Sequence, residues 1–384
     1  MGLPVKNPEQ NFGEKELTTG QEMSGKNLDG LKALGWEAFW DRVMPCEAES
    51  RLARVVAVDR GDMLLLVDVT GIFRAKLAGS YRHRHLFSHE MPCVGDWVCV
   101  EKSSSHGTSV VHTLLERKTF LRRKAAGNAI EYQMIAANVD CVMIVQSCHL
   151  DFNLKRLERY LVMVMDGGAQ PCILLTKTDL VPPEVVSDQV EAIHAAGIRA
   201  PVQTLSNVTK EGVAALRERL LPGKTYCFVG SSGVGKSTLI NGLIGREMQE
   251  TQAVSGTGEG KHTTVRRELI RLEGGALVID NPGMREFGIL ASEAGIENGF
   301  SDITDLASLC RYRDCTHTDE PDCAVLSALH RGEIRPDHFD NYLKVKAESG
   351  FYQLSYAEKR KKDRDFGRFI KSVKNKEKSL KNGR

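Results

Sequence analysis

The chain has 384 residues, 41% apolar and 27% charged, with a formal net charge of +2. These proportions suit a folded protein of two or three domains and exclude a mostly disordered or collagen-like chain. No stretch approaches the ~18 uninterrupted apolar residues of a membrane helix, and the polar opening from Met1 to Gln10 lacks the apolar core of a signal peptide.

Residues 1–50 read as an N-terminal extension, with a short helix within 28–43 docked by Trp36, Phe39 and Trp40. Residues 51–120 read as β. Apolar runs at 53–58, 63–69, 72–77, 94–100 and 109–115 are separated by turn residues, and Asp59 to Asp62 is a hairpin signal. Five short strands predict a small barrel of the OB-fold kind, with an SH3-like barrel as the alternative. The loop from Tyr81 to His85 is basic and aromatic, which suits contact with RNA; the alternative is a solvated loop. Residues 117–124 hold five basic residues in eight and read as a linker.

Residues 138–290 change character. Short apolar runs at 139–145, 172–175, 202–205, 226–229 and 277–279 alternate with amphipathic stretches at 153–166, 184–196, 209–220 and 236–247. That alternation predicts a parallel sheet covered by helices on both faces. Residues 298–384 read as short helices, a Cys/His cluster and a basic tail. Residues 355–384 hold twelve Lys/Arg and four Asp/Glu, so this tail carries +8 and the rest of the chain −6. Ten Cys without a secretory signal lead to the expectation of reduced thiols.

Gly230, Ser231, Ser232, Gly233, Val234, Gly235, Lys236 and Ser237 match G-x-x-x-x-G-K-[ST] in full, between an apolar run and a helical stretch. Backbone N–H groups of such a loop curl around phosphates, and the helix N-terminus adds positive potential. Lys236 is placed to reach the β- and γ-phosphates and Ser237 to ligate Mg²⁺. Thr238 completes the loop's candidate contacts. Asp280 ends the run at 276–279 and is the second Mg²⁺ anchor, through water, while the N–H of Gly283 meets the γ-phosphate. Thr263 and Thr264, in a Gly-rich stretch, are candidate switch threonines.

Thr176, Lys177 and Asp179 resemble the N-K-x-D guanine motif, with Thr in the first place. Asp179 accepts from N1–H and the 2-amino group of guanine. Adenine lacks both donors there, which argues for GTP/GDP over ATP. Lys177 lays its stem over the base, and Ser206-Asn207, after the run at 202–205, is the candidate for the backbone contact to the base oxygen. Base recognition thus precedes the phosphate loop, a circular permutation of the ordinary GTPase order. Permutation is physically cheap because domain termini often lie close together.

Cys310, Cys315, His317 and Cys323 place three thiols and an imidazole within 14 residues. Four such ligands suit a tetrahedral Zn²⁺ with a closed shell, so one structural zinc is expected.

With these motifs in this order, the chain resembles the RsgA (YjeQ) family of circularly permuted GTPases over residues 50–350. Ala136 to Asp140, Thr176 to Asp179, the phosphate loop, Gly260 to Thr264, Asp280 to Gly283 and the Cys/His cluster carry the resemblance. It implies an N-terminal OB-fold β-barrel (51–120), a central circularly permuted P-loop GTPase α/β domain (121–297) and a C-terminal zinc-binding helical domain (298–384). It also implies a GTPase that binds the small ribosomal subunit and its rRNA, assists late maturation and is stimulated by the subunit. A cytoplasmic monomer without membrane contact is expected. Asn281 departs from the family's Asp-Thr-Pro-Gly. Met284 stands where Ras-type GTPases place a water-orienting Gln, so another group must orient the water. His262 is the candidate, and the resemblance implies the same role for the loop His. The catalytic candidates are His262, Lys236, Thr263 and Thr264. The alternative function is an RNA-binding guanine-nucleotide switch with negligible turnover.

Overall fold

The computed structural model describes residues 25–41, 46, 50–59, 63–85, 87–101, 108–124, 132–245, 267–281 and 292–353. His262, Thr263, Thr264, Gly283 and the tail at 355–384 lie outside the described residues.

Five strands close a barrel: β1 (Ser50–Val58), β2 (Met63–Asp68), β3 (Gly71–Leu77), β4 (Trp97–Glu101) and β5 (Ser109–Leu114). Their order is β1-β2-β3-β5-β4, with β1 antiparallel to β2 and β4, and β3 parallel to β5. This is the expected OB-like barrel. The near-continuous apolar run in β1 has a packing reason. Ala53 and Val55 face the barrel interior, Leu52 meets the N-terminal helices, and Val56 joins the core of the next domain.

Arg54 interrupts that run. It is fully buried and donates to the carbonyls of Leu34, Gly95 and Asn138 at 2.6, 3.1 and 3.0 Å. Burial lowers its pKa to about 10, although Asp140, Asp96 and Glu37 favour its charge. The N-terminal extension forms two short helices, α1 (Gly25–Ala33) and α2 (Ala38–Asp41), where one was expected. Trp36 and Trp40 pack on Trp97, the first edge-on at 5.0 Å. Cys46 is joined to Cys99 by a disulfide, which corrects the expectation of reduced thiols for this pair; the other eight cysteines are free.

Two further sequence expectations change. The basic stretch from Tyr81 forms a helix, α3 (Gly79–Arg84), and Tyr81 points inward, its hydroxyl donating to the Glu90 carbonyl at 2.9 Å. Arg82, His83 and Arg84 stay exposed, and the accessible aromatic nearby is Phe87, stacked on His89. The expected linker is instead structural. Arg117 donates to both carboxylate oxygens of buried Asp96 at 2.8 Å. Then β6 (Phe120–Lys124) pairs antiparallel with β7 (Tyr132–Ala137) as a two-stranded ribbon.

The second sheet has the order β10-β9-β8-β11-β13-β12. Its strands are β8 (Cys141–Ser147), β9 (Gln170–Thr176), β10 (Val202–Thr204), β11 (Thr225–Gly230), β12 (Glu268–Arg271) and β13 (Leu277–Asp280). All neighbours are parallel except the edge strand β12. Side chains alternate between faces. Val142 and Ile144 of β8 join one core with Leu157 of α4 (Leu154–Asp166) and Ile193 of α5 (Pro183–Ala195). Met143 and Val145 join the other with Leu216 of α6 (Val213–Arg219) and Leu239 of α7 (Lys236–Ile244).

The C-terminal part holds α8 (Glu293–Gly299), α9 (Ser301–Ala307), α10 (Ala324–His330) and α11 (Pro336–Gln353). At 18 residues α11 is longer than the short helices expected. Phe300, Ile303, Val325, Tyr342 and Val345 form its core together with Val162 of α4. The expected border between 297 and 298 falls inside α8, whose Ile296 belongs to this core.

Candidate nucleotide site and metal centre

Ligands of open parallel sheets bind beyond the carboxyl ends of the strands. There β11 runs into the glycine-rich loop, and α7 opens at Lys236 after Gly235 in the left-handed region (φ +96°). The left-handed backbone favours glycine there, and a Cβ would stand 2.8 Å from Nδ2 of Asn207 and displace that amide. Ser232, Gly233, Ser237 and Thr238 are exposed at the mouth, Ser231 is half-buried and Val234 is buried.

The Lys236 ammonium turns back on its own loop, donating to the carbonyls of Gly230 and Ser231 at 2.7 and 2.5 Å. Burial lowers its pKa, opposed by Asp280 and Asp151. Asp280 ends β13, and burial raises its pKa against the pull of Lys236. A desolvated carboxylate beside one cation gains strongly from a second, which suits a divalent metal.

Asp179 is exposed, and its Oδ1 accepts from Ser206 Oγ at 2.5 Å. Ser206 is fully buried and also accepts from the N–H groups of Val208 and Thr209, both at 3.1 Å. Lys177 takes a left-handed conformation (φ +60°) at the start of a 3₁₀ turn over Thr178–Leu180. The structure therefore uses Ser206 to orient Asp179.

Thr176 ends β9. It is completely buried, and its hydroxyl donates to the Val234 carbonyl at 2.6 Å. It ties the end of β9 to the phosphate loop. Asn207 repeats the tie, donating from Nδ2 to the Gly235 carbonyl at 3.1 Å. The sequence points to Ser206-Asn207 for a backbone contact to the base and does not reveal this side-chain tie to the phosphate loop. The place of Asn207 in the turn after β10 was the available signal.

Cys310, Cys315, His317 and Cys323 converge, with their ligand atoms all within 4.8 Å of one another. The Sγ atoms of Cys310 and Cys323 are 3.8 Å apart, and His317 Nδ1 lies 3.7 and 3.4 Å from them. A tetrahedral centre with bonds of ~2.3 Å has ligand–ligand edges of ~3.8 Å, so these residues fit a four-coordinate metal. Burial opposes a thiolate at Cys310, but the N–H groups of Val325 and Ala324 outweigh it and lower its pKa. Burial lowers the pKa of His317, favouring the neutral imidazole that ligates.

The family model described as RsgA GTPase matches residues 114–290. A small ribosomal subunit biogenesis GTPase RsgA of Opitutus terrae is 39% identical over 332 residues, covering 84% of this chain and 90% of that one. The RsgA 2 of Vibrio parahaemolyticus is 36% identical over 350 residues, covering 89% and 92%. Among solved structures, YjeQ from Thermotoga maritima matches with a TM-score of 0.59 at 27% identity, covering 78% of this chain and 98% of that one. YloQ, titled a circularly permuted GTPase, matches at 0.58 and 25% identity, covering 80% and 97%.

Proposed function

The chain belongs to the RsgA family of GTPases, and on that footing we propose that it hydrolyses GTP while bound to the maturing small ribosomal subunit. The observation that carries the reading is the joining of the base loop to the phosphate loop through Thr176 and Asn207. A guanine nucleotide needs both loops at a set spacing, and two hydrogen bonds hold that spacing before nucleotide arrives.

In this reading Asp179 and Lys177 hold the guanine, and backbone N–H groups from Ser231 to Thr238 cradle the phosphates. Lys236 leaves its loop carbonyls for the β- and γ-phosphates, exchanging two neutral acceptors for anionic oxygens. Ser237 and Asp280 would hold Mg²⁺, which supplies charge neutralisation at the β- and γ-oxygens. His262 would orient the attacking water, and Thr263 or Thr264 would help to hold the Mg²⁺. The reaction adds water to the γ-phosphorus and expels GDP.

Cys310, Cys315, His317 and Cys323 would hold one Zn²⁺, which supplies folding free energy to the C-terminal helices. The three-part division (barrel at 51–120, GTPase at 121–297, zinc domain at 298–384) and action as a cytoplasmic monomer belong to the same reading. Contact with rRNA is assigned to the exposed Arg82, His83 and Arg84 of α3 and to the basic tail. Among the described residues, no helix is long and apolar enough to cross a membrane.

The test is phosphate release from GTP titrated with purified small subunits at several salt concentrations. Multiple-turnover release that rises with subunits and weakens with salt is expected. Release that stays at the subunit-free level would leave only a guanine-nucleotide switch.

A further inference from the structure

We propose that Arg267 is a positioning residue for GTP hydrolysis, tying the strand end that carries Asp280 to the β6–β7 ribbon through Asn281. The inference rests on reading Asp280 as the water-mediated anchor for the nucleotide's Mg²⁺.

Strands β12 and β13 pair Glu268 with Asp280, so Arg267 stands across from Asn281, one step further along. Arg267 Nε donates to Asn281 Oδ1 at 2.9 Å, and its Nη1 donates to the Met134 carbonyl of β7 at 3.1 Å. Asn281 is 1% exposed, so this amide is held inside the fold one residue along the chain from Asp280.

The same ribbon reaches the other flank of residues 282–291. Arg122 of β6 donates to Asp166 Oδ2 at 3.0 Å, and Asp166 Oδ1 accepts the Ser292 N–H at 2.7 Å. The ribbon's end is in turn bonded to the barrel: the Ala137 N–H donates to the Val94 carbonyl at 2.9 Å, and Asn138 Nδ2 to the Gly95 carbonyl at 3.1 Å. One ribbon therefore grips both flanks of that segment and the barrel. Losing a group that orients a metal's ligands from outside typically costs ~10–100-fold in metal affinity or activity.

The test uses the full chain with small subunits, as wild type, Arg267→Ala, Arg267→Lys and Asp280→Asn. Each is assayed for GTP hydrolysis across a Mg²⁺ titration and for GDP binding in EDTA. Arg267→Ala is expected to raise the Mg²⁺ needed for half-maximal turnover ~10-fold, with GDP affinity in EDTA unchanged. Arg267→Lys donates from a single point and should fall between. An unchanged Mg²⁺ requirement in Arg267→Ala, with Asp280→Asn still shifted, overturns the proposal. An equal loss of GDP affinity in EDTA, the mark of a merely structural role, overturns it too. An unchanged requirement in Asp280→Asn instead overturns the reading of Asp280. Should Arg267→Ala fail to fold, Asn281→Leu removes the acceptor and keeps the guanidinium. The same ~10-fold shift supports the proposal, and its absence overturns it.

Discussion

Replacing His338 with Gln should remove a pH-dependent tie between the GTPase domain and the C-terminal helices. His338 of α11 is 5% exposed. Its Nδ1 lies 2.7 Å from Glu158 Oε1 of α4, and its Nε2 lies 3.0 Å from Asp302 Oδ2 of α9. Ionised carboxylates only accept, so both ring nitrogens carry protons and the ring is an imidazolium. Burial opposes that charge, but the hydrogen bonds to Asp302 and Glu158 outweigh it and raise the pKa from 6.5 to about 9. Asn341 also donates to Glu158, and the Phe300 ring lies 5.2 Å from the imidazole. A folded pKa above the unfolded one stabilises the fold fully below 6.5 and loses that effect as pH rises through about 9. The gap corresponds to ~3 kcal/mol. At Asp302 burial again opposes the charge, yet the hydrogen bond and charge of His338 lower the pKa. Its contribution is therefore lost only as pH falls through that lowered value. The assay is urea unfolding of wild type and His338→Gln from pH 6 to pH 10, with the imidazole titrated by histidine-selective NMR. The stability difference should shrink by ~3 kcal/mol across that range. A constant difference, or a ring titrating near 6.5, would refute the reasoning.

Thr176→Val keeps the shape and removes the hydroxyl, leaving the Val234 carbonyl short of a donor. GDP affinity should fall ~10-fold, the equivalent of one buried hydrogen bond, with the preference for guanine over adenine intact. Asp179→Asn should do the reverse, eroding base preference in a competition assay; a change of preference in Thr176→Val would contradict the positioning role. His262→Ala should retain GTP binding and lose most subunit-stimulated turnover, and an unchanged stimulated kcat would remove His262 from the mechanism. Deleting residues 355–384 should flatten the salt dependence of subunit binding by ~0.7–0.9 in log–log slope per lost phosphate contact; an unaltered slope would mean that the tail does not touch RNA.

Most of the fold was legible because its signals are local. The runs of β8, β9, β11 and β13 are buried on both sides and read as apolar without interruption, while the helices between them keep one apolar stripe. The phosphate loop and Asp179 were legible because each motif is contiguous. What stayed hidden depends on long-range partners. Arg54 looks like an ordinary charged interruption until three carbonyls, from 20 to 84 residues away, converge on it. The stretch at 117–124 reads as a linker because its charges are conspicuous, yet Arg117 is there for Asp96 and Arg122 for Asp166. Tyr81 was read as an RNA-facing aromatic because sequence does not reveal which way a side chain in a six-residue helix points. The Thr of the T-K-x-D motif departs from the Asn of N-K-x-D, and the sequence alone gives it no specific contact. Its hydroxyl reaches the phosphate loop, and that requires only an oxygen with a proton to donate.

Permutation also has a mechanical consequence. Because β13 falls late in the chain, the strand end carrying Asp280 is followed in sequence by α8 and the C-terminal helices. There α8 lies on α4 with no slack. A Cβ at Gly299 would stand 2.5 Å from Val162 Cγ2, and one at Gly295 would stand 2.6 Å from Asp166 Cβ. Contacts this close do not deform gradually, since packed interfaces shift between discrete arrangements. Any change in the Asp280 strand end that reached α8 would therefore have to carry α4 along or unseat α8 altogether. The two charged ties lie on either side of this path. His338 joins α4 to α9 and α11, resisting the unseating, and Arg267 joins the Asp280 end to the barrel side.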